Sequence, residues 1–182
     1  MAQIKAIDTE YKGYLFRSRL EARYAVFLDG IGEEWQYEIQ GYELESGRYL
    51  PDFFLPRLNC WLEIKGVEPT LHERNLCCEL ANATGTPAAM ACGLPGEHLS
   101  VYCVDCTDST GGDGWWDECF WALDNQGELC ICSNNDRYDR SFLTPDYGDM
   151  FHAMKLICDT NGVVDQRHYD AAKKARFEFQ KR

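Results

Sequence analysis

RYLPDFFLPRLNCWLEIKG, residues 48–66, sets Asp52 directly after Pro51 and places Glu63 and Lys65 two positions apart in an otherwise apolar run. Side chains alternate across a strand, so Trp61, Glu63 and Lys65 share one face, while Leu62 and Ile64 share the other. Leu62 and Ile64 read as the core-facing pair, with Glu63 and Lys65 looking to the opposite side. Pro51 favours an edge position or a bulge in the strand RYLPDFFL. The ten residues between Asp52 and Glu63 suffice for a turn that returns the chain antiparallel and sets the two carboxylates side by side. Carboxylates held that close repel, and a divalent cation with oxygen ligands relieves the repulsion. A lysine beside them offsets phosphate charge or orients an attacking water. The plainer reading, the solvated face of a hairpin, uses the same residues and carries no chemistry.

Working outward, Ser18 and Glu21 form a capping-box pattern, and Leu20, Tyr24, Phe27, Leu28 and Ile31 follow at helical spacing. This predicts a helix over about 18–30, ended by Gly30 and Gly32. Glu21 lies at the margin of its apolar stripe, from which it can reach the sheet. EWQYEIQGYEL alternates Trp35, Tyr37 and Ile39 against polar neighbours and predicts a strand; RYLPDFFL and NCWLEIKG predict two more. Thr70 and Glu73 form a second capping box, opening a helix to about Thr84 with Leu76, Cys77, Leu80 and Ala83 inward, stopped by Gly85. PAAMACG and LSVYCVDC read as strands. Helix, three strands, helix, strand is the order of an α/β domain with a mixed sheet and helices on its faces. Farther on, CFWAL and ELCICS flank DNQG as a hairpin, a short helix is expected over 149–158, and residues 167–180 show helical spacing.

The chain has 182 residues and a net charge of −12, 45% hydrophobic and 13% aromatic, which predicts one folded domain over 1–182. Total charge argues against a nucleic-acid partner, but its distribution does not. Residues 103–165 carry 13 acidic and 3 basic groups, whereas the final 17 residues carry 6 basic and 2 acidic. MAQIKAIDTEYKG has no apolar stretch of signal-peptide type, and LANATGTPAAMACGLPG is broken by Gly and Pro. A cytoplasmic protein without a membrane segment is expected, its ten cysteines mostly reduced.

FRSRLEARYAVFLDGIGEEWQYE, followed by GRYLPDFFLP and WLEIKG, closely resembles the PD-(D/E)XK nuclease superfamily, and more narrowly the small phage and prophage nucleases of the T7 endonuclease I type. The resemblance covers residues 14–95 and, more loosely, the terminal YDAAKKARFEF. It implies a restriction-endonuclease-like α/β/α core around a central four-stranded mixed sheet. To this core are added an acidic Cys/Trp-rich, loop-rich insert over 103–165 and a basic C-terminal helix over 167–180. It also implies catalytic roles for Glu21, Asp52, Glu63 and Lys65, and Mg²⁺ or Mn²⁺ held by Asp52, Glu63 and Glu21. The expected activity is that of a deoxyribonuclease hydrolysing DNA phosphodiesters with a metal-activated water. A host-cytoplasm location follows if the chain is phage-encoded, and a homodimer would favour two-strand cleavage.

Further residues bear on this expectation. Arg17 and Arg19 flank the first helix's start, where they can hold a phosphate beside Glu21. Lys173, Lys174 and Arg176 offer phosphate contacts on the terminal helix; a solvated helix is the rival reading. Cys103, Cys106, Cys130 and Cys132 form two close pairs that can serve as structural zinc ligands, with Cys119 as a substitute donor; buried reduced thiols are the alternative. The competing functional class is a catalytically silent phage protein of the same fold that binds and inhibits a host nucleic-acid-binding protein through its acidic surface.

Overall fold

The computed structural model describes residues 6–102, 115–116, 119–123, 129–133, 142–143 and 162–177. The chain opens with a hairpin of β1 (Thr9–Tyr11) and β2 (Tyr14–Phe16). Its two-residue turn uses Lys12 at φ 51° and Gly13 at φ 83°. Two left-handed residues in succession are what such a turn requires. Helix α1 (Arg19–Ile31) follows, with Ser18 as N-cap and Gly32, at φ 78°, as C-cap. The helix runs through Gly30 rather than ending there. A Cβ at Gly30 would lie 3.0 Å from His168 Nδ1, so this glycine serves close packing.

Next come β3 (Gln36–Tyr37), β4 (Tyr42–Leu44), β5 (Gly47–Tyr49), β6 (Phe53–Leu55) and β7 (Cys60–Lys65). The two strands expected over EWQYEIQGYEL and RYLPDFFL are each broken in two. Glu38, at φ 46°, ends the first and leaves Ile39 49% exposed. Leu50-Pro51-Asp52 breaks the second, and β4 and β5 pair with each other in a separate two-stranded sheet. Helix α2 (Leu71–Thr84) connects β7 to β8 (Ala88–Cys92), which lies parallel to it, and β9 (His98–Tyr102) returns antiparallel. Ala83 is exposed; Cys78 and Ala81 join Leu76, Cys77 and Leu80 on the buried side of α2. β10 (Trp115–Trp116), β11 (Cys119–Leu123), β12 (Leu129–Ser133), β13 (Phe142–Leu143), β14 (Gly162–Val163) and α3 (Gln166–Lys174) complete the described chain. The helix expected over 149–158 lies outside the described residues.

The main sheet is mixed and runs β10-β9-β8-β7-β6-β3. It has six strands rather than the four expected, because β9 adds a strand and the two-residue β10 extends it further. The stretch α1, β3, β6, β7, α2, β8 keeps the order helix, three strands, helix, strand, interrupted by the β4–β5 hairpin. Strand parity sorts the core into two layers. Phe53, Leu55, Leu62, Ile64, Ala89, Leu99 and Val101 meet Phe27 and Leu28 of α1. Trp61, Ala88, Met90 and Tyr102 meet Leu76, Cys77 and Leu80 of α2. Each large apolar side chain buried this way contributes ~1.5–3 kcal/mol. The protein is therefore a three-layer α/β structure. Among the described residues no helix is long and apolar enough to cross a membrane.

The hairpin read from CFWAL and ELCICS is formed by β11 and β12. Cys119, Trp121, Leu129 and Ile131 join the α1-side core, and Cys130, Cys132 and Ala122 cluster on the other face of the hairpin.

Candidate functional site

The β6–β7 ladder pairs Phe53 with Leu62 and Phe54 with Trp61. Continued one step, this register sets Asp52 across from Glu63. The ladder stops there, and the Ile64 N–H beyond it donates to Asp52 Oδ2 at 2.8 Å. Glu63 and Lys65 share the face away from Leu62 and Ile64, as alternation dictates. That face is covered rather than solvated: α2 and the β4–β5 hairpin close over it, leaving Glu63 6% and Asp52 2% exposed. The solvated-hairpin reading of these carboxylates is thereby overturned.

Glu21, also 6% exposed, sits in the first turn of α1. Its N–H donates to Ser18 Oγ, but its carboxylate reaches past the capping position. Oε1 accepts from Ser18 Oγ at 2.7 Å, and Oε2 accepts from Tyr37 Oη at 2.6 Å and from Arg17 N at 3.1 Å. Tyr37 is fixed by rings on three sides, with Phe16 at 4.5 Å, Phe53 at 5.4 Å and Tyr14 at 6.5 Å between centroids. Burial, and then the bond to Glu21, push its phenol up from the ordinary range, so Tyr37 stays a donor.

Burial first, then Glu63 and Glu21, push the Asp52 carboxyl well above its usual range; the Ile64 N–H and Arg17 pull the other way. The Arg17 Nη2 group donates to Asp52 Oδ1 at 2.6 Å, and Arg17 Nε lies 2.6 Å from Glu38 Oε1. Lys65 Nζ bridges Glu63 Oε1 and Glu73 Oε1, each at 2.9 Å. Burial opposes charge on Lys65, but Glu63 and Glu73 together hold its ammonium well above the normal lysine range. Glu63 Oε2 and Tyr49 Oη are each buried without a well-formed hydrogen bond, and the two side chains are near neighbours: burial first, then Cys77 and Glu63, push the Tyr49 phenol up.

Glu21, Asp52, Glu63 and Lys65 are thus brought to one place. Among the described residues, however, no group of three or more His, Cys, Asp or Glu side chains is arranged to hold a metal ion. Five of the six oxygens on Glu21, Asp52 and Glu63 are engaged by protein N–H, O–H or ammonium groups. The chemistry of the set still fits a hard divalent cation: three buried carboxylates, one orphaned oxygen, and one aspartate whose charge its neighbours oppose.

The other expected residues fall elsewhere. Arg17 is at the site but paired with Asp52 and Glu38 rather than open to a phosphate. Arg19 begins α1 and is half-buried. Helix α3 docks on the C-terminal half of α1, with Tyr169 stacked on Phe27 at 4.9 Å and His168 at Gly30. Glu21 is nine residues from Gly30, roughly 13 Å along the helix at 1.5 Å per residue. Lys173 and Lys174 are exposed in the last turn of α3, and Lys174 pairs with Asp170. Arg176 is exposed but lies past the helix, which ends at Lys174 instead of continuing to 180. Cys130 and Cys132 share one face of β12, as two thiolate ligands would need, and are fully buried. Cys119 turns to the opposite face of the hairpin, into the main core, and is not placed to substitute for a ligand there. Cys103 and Cys106 lie outside the described residues.

Sequence reading missed the hold of Glu73 on Lys65 and that of Tyr37 on Glu21. The Thr70-x-x-Glu73 cap could have signalled the first, since a short turn after β7 returns α2 across the strand's end. Comparison of the chain with protein-family models, with curated proteins and with solved structures finds no match.

Proposed function

We propose that the protein is a divalent-metal-dependent DNA endonuclease of the PD-(D/E)XK type. The observation that carries this reading is the register-matched pair Asp52 and Glu63, buried together with Glu21 close enough to oppose the Asp52 charge and Lys65 on the same strand face. A three-layer fold whose sheet contains the run β8-β7-β6-β3 supports the restriction-endonuclease-like architecture. DNA as substrate rests on the sequence resemblance around these residues.

In this reading Asp52, Glu63 and Glu21 hold Mg²⁺ or Mn²⁺. When bound, such an ion supplies Lewis-acid stabilisation of the phosphate and an activated water nucleophile. The chain's own part is to position. Ile64 N–H orients Asp52, Tyr37 orients Glu21, and Glu73 keeps the Lys65 ammonium beside Glu63, where it can meet the charge developing on a phosphate. Arg19 at the start of α1, and Lys173, Lys174 and Arg176 near α3, are the proposed phosphate contacts; Arg17, paired with Asp52 and Glu38, could meet a phosphate only after leaving Asp52. Structural zinc on the cysteine pairs and a homodimer remain parts of the proposal that the carboxylate site does not require.

One observation favours the silent-protein reading. Five of the six carboxylate oxygens already have protein donors, a state that needs no ion. The two readings part in one experiment. Purified protein is incubated with supercoiled, linear, single-stranded and branched DNA in Mg²⁺ or Mn²⁺, alongside Asp52→Ala. Cleavage by the wild type that the variant loses is expected; equal cleavage by both, or none by either, overturns the nuclease assignment.

A further inference from the structure

Resting on that metal site, the geometry points to Arg17 as its resident counter-ion: a positioning residue that a divalent cation displaces from Asp52, and that Glu38 retains once displaced. The two oxygens of Asp52 are held by partners of different kinds. Oδ2 takes the Ile64 N–H, a main-chain group of the central strand that cannot leave without opening the sheet. Oδ1 takes the Arg17 guanidinium, a side chain that can swing away. The Arg17 side chain is 53% exposed and that of Asp52 3%, so Arg17 covers the aspartate from the solvent side. An incoming cation that binds Oδ1 therefore meets Arg17 first.

Arg17 is built to release Asp52 without leaving the site. Its main-chain N–H is fixed to Glu21 Oε2 and to Tyr37 Oη, each at 3.1 Å, so only the side chain need move. Its Nε already lies 2.6 Å from Glu38 Oε1, an ion-pair contact in which that buried oxygen accepts no hydrogen bond, so a guanidinium that turns from Asp52 meets an acceptor there. Glu38 is anchored in turn: its N–H donates to Asp52 O at 2.9 Å, and its backbone is left-handed at φ 46°. A non-glycine residue in that region carries strain that the surroundings must offset. The position is explained if Glu38 serves to hold Arg17. The planar guanidinium fork can pair with two carboxylates at once, which a lysine ammonium does less specifically. Exchange of one positive charge for two among Asp52, Glu63 and Glu21 also gives the orphaned Glu63 Oε2 an electrostatic partner.

The test is metal affinity in the absence of DNA. Mn²⁺ and, separately, Ca²⁺ binding are measured by titration calorimetry at pH 8 on the full chain. The proteins compared are the wild type, Arg17→Gln, Arg17→Lys, Glu38→Gln and the Arg17→Gln/Glu38→Gln double variant. Removing the competitor should tighten binding by about tenfold, the worth of one charge-assisted hydrogen bond. Arg17→Lys should fall between wild type and Arg17→Gln, and stands in for it if the glutamine variant fails to fold. Glu38→Gln should weaken binding while Arg17 is present and have no effect in the double variant, because Glu38 acts only through Arg17. A purely structural role would make the two single effects independent. Metal binding by the wild type that is unchanged or weaker in the Arg17 variants overturns this inference alone. Absence of binding in every protein overturns it together with the nuclease reading.

Discussion

Glu63 has one carboxylate oxygen on Lys65 and the other buried without a well-formed hydrogen bond, the Tyr49 phenol being a near neighbour of the carboxylate. Its charge also opposes that of Asp52, which burial and the two neighbouring glutamates push well above the usual carboxyl range. The folded state therefore binds the Asp52 proton more tightly than the unfolded chain. The resulting stabilisation is complete below the unfolded value, near pH 4, and is lost as pH rises through the folded one. Glu63→Gln removes a buried charge that opposes Asp52 and that also pushes the neighbouring Tyr49 phenol up. It should raise metal-free stability by about 1 kcal/mol and flatten the fall with rising pH, while abolishing Mn²⁺ binding. Denaturant titrations at several pH values, with and without Mn²⁺, read all three effects. The Asp52, Glu63 and Lys65 set was legible in the sequence because strand alternation and a hairpin-length connection are local properties. Its burial was not, because it depends on a helix that comes later in the chain. Arg17 on Asp52 joins residues 35 positions apart, beyond any local pattern.

At the scale of elements, α2 shows how a terminus can serve both its own fold and a neighbouring site. Thr70 Oγ1 accepts from Glu73 N while the Glu73 carboxylate accepts from Thr70 N, a complete capping box; the other Glu73 oxygen holds Lys65. Burial works against the Glu73 charge, but the Thr70 and Lys65 donors outweigh it and lower the carboxyl to about 2. The stability this confers is present above the ordinary value of 4.5 and is lost as pH falls through about 2. Gln retains a capping side chain, so Glu73→Gln should cost less stability than Glu73→Ala, for which about 1 kcal/mol is expected. Neither variant should show the wild-type loss in that acid window. Thermal melts from pH 2 to 6 test both statements. Helices α1 and α2 were readable because caps and 3.6-residue spacing are local. The broken strands were misread because Glu38 takes a left-handed backbone that its residue type does not announce. Helix α3 ends early although its apolar spacing continues.

For the molecule as a whole, the described β11–β12 hairpin of the insert is part of the core. Trp121 is 3% exposed and packs against Phe27, with centroids 5.9 Å apart. Trp121→Ala should cost about 3–5 kcal/mol, and denaturation followed by circular dichroism should still show one transition. Two transitions would mean that the insert folds apart from the sheet. Charge is segregated along the chain, with net −10 over residues 103–165 and net +4 over the final 17. Local potential rather than the total governs attraction of phosphates. If DNA reaches from the carboxylates to α3, replacing Lys173 and Lys174 together by Ala should lower the salt slope of binding by roughly 2, about 1 for each lost contact. Fluorescence anisotropy across a salt series in Ca²⁺ measures it, and an unchanged slope removes α3 from the DNA path. The layered α/β class followed from the order of the elements. The insert's share of the core did not, because its apolar residues carry no sign of which sheet they will meet.

The β4–β5 ribbon lies over the α2 side of the sheet, with Tyr42 against Trp61 at 5.5 Å and Ser46 bonded to Glu79. Two strands of three residues each have little stability of their own. Their amides should exchange with deuterium well before those of β7, through a local opening that leaves the sheet intact. Since this ribbon helps bury Glu63, the first water to reach that carboxylate enters on the ribbon's opening timescale, not on that of global unfolding.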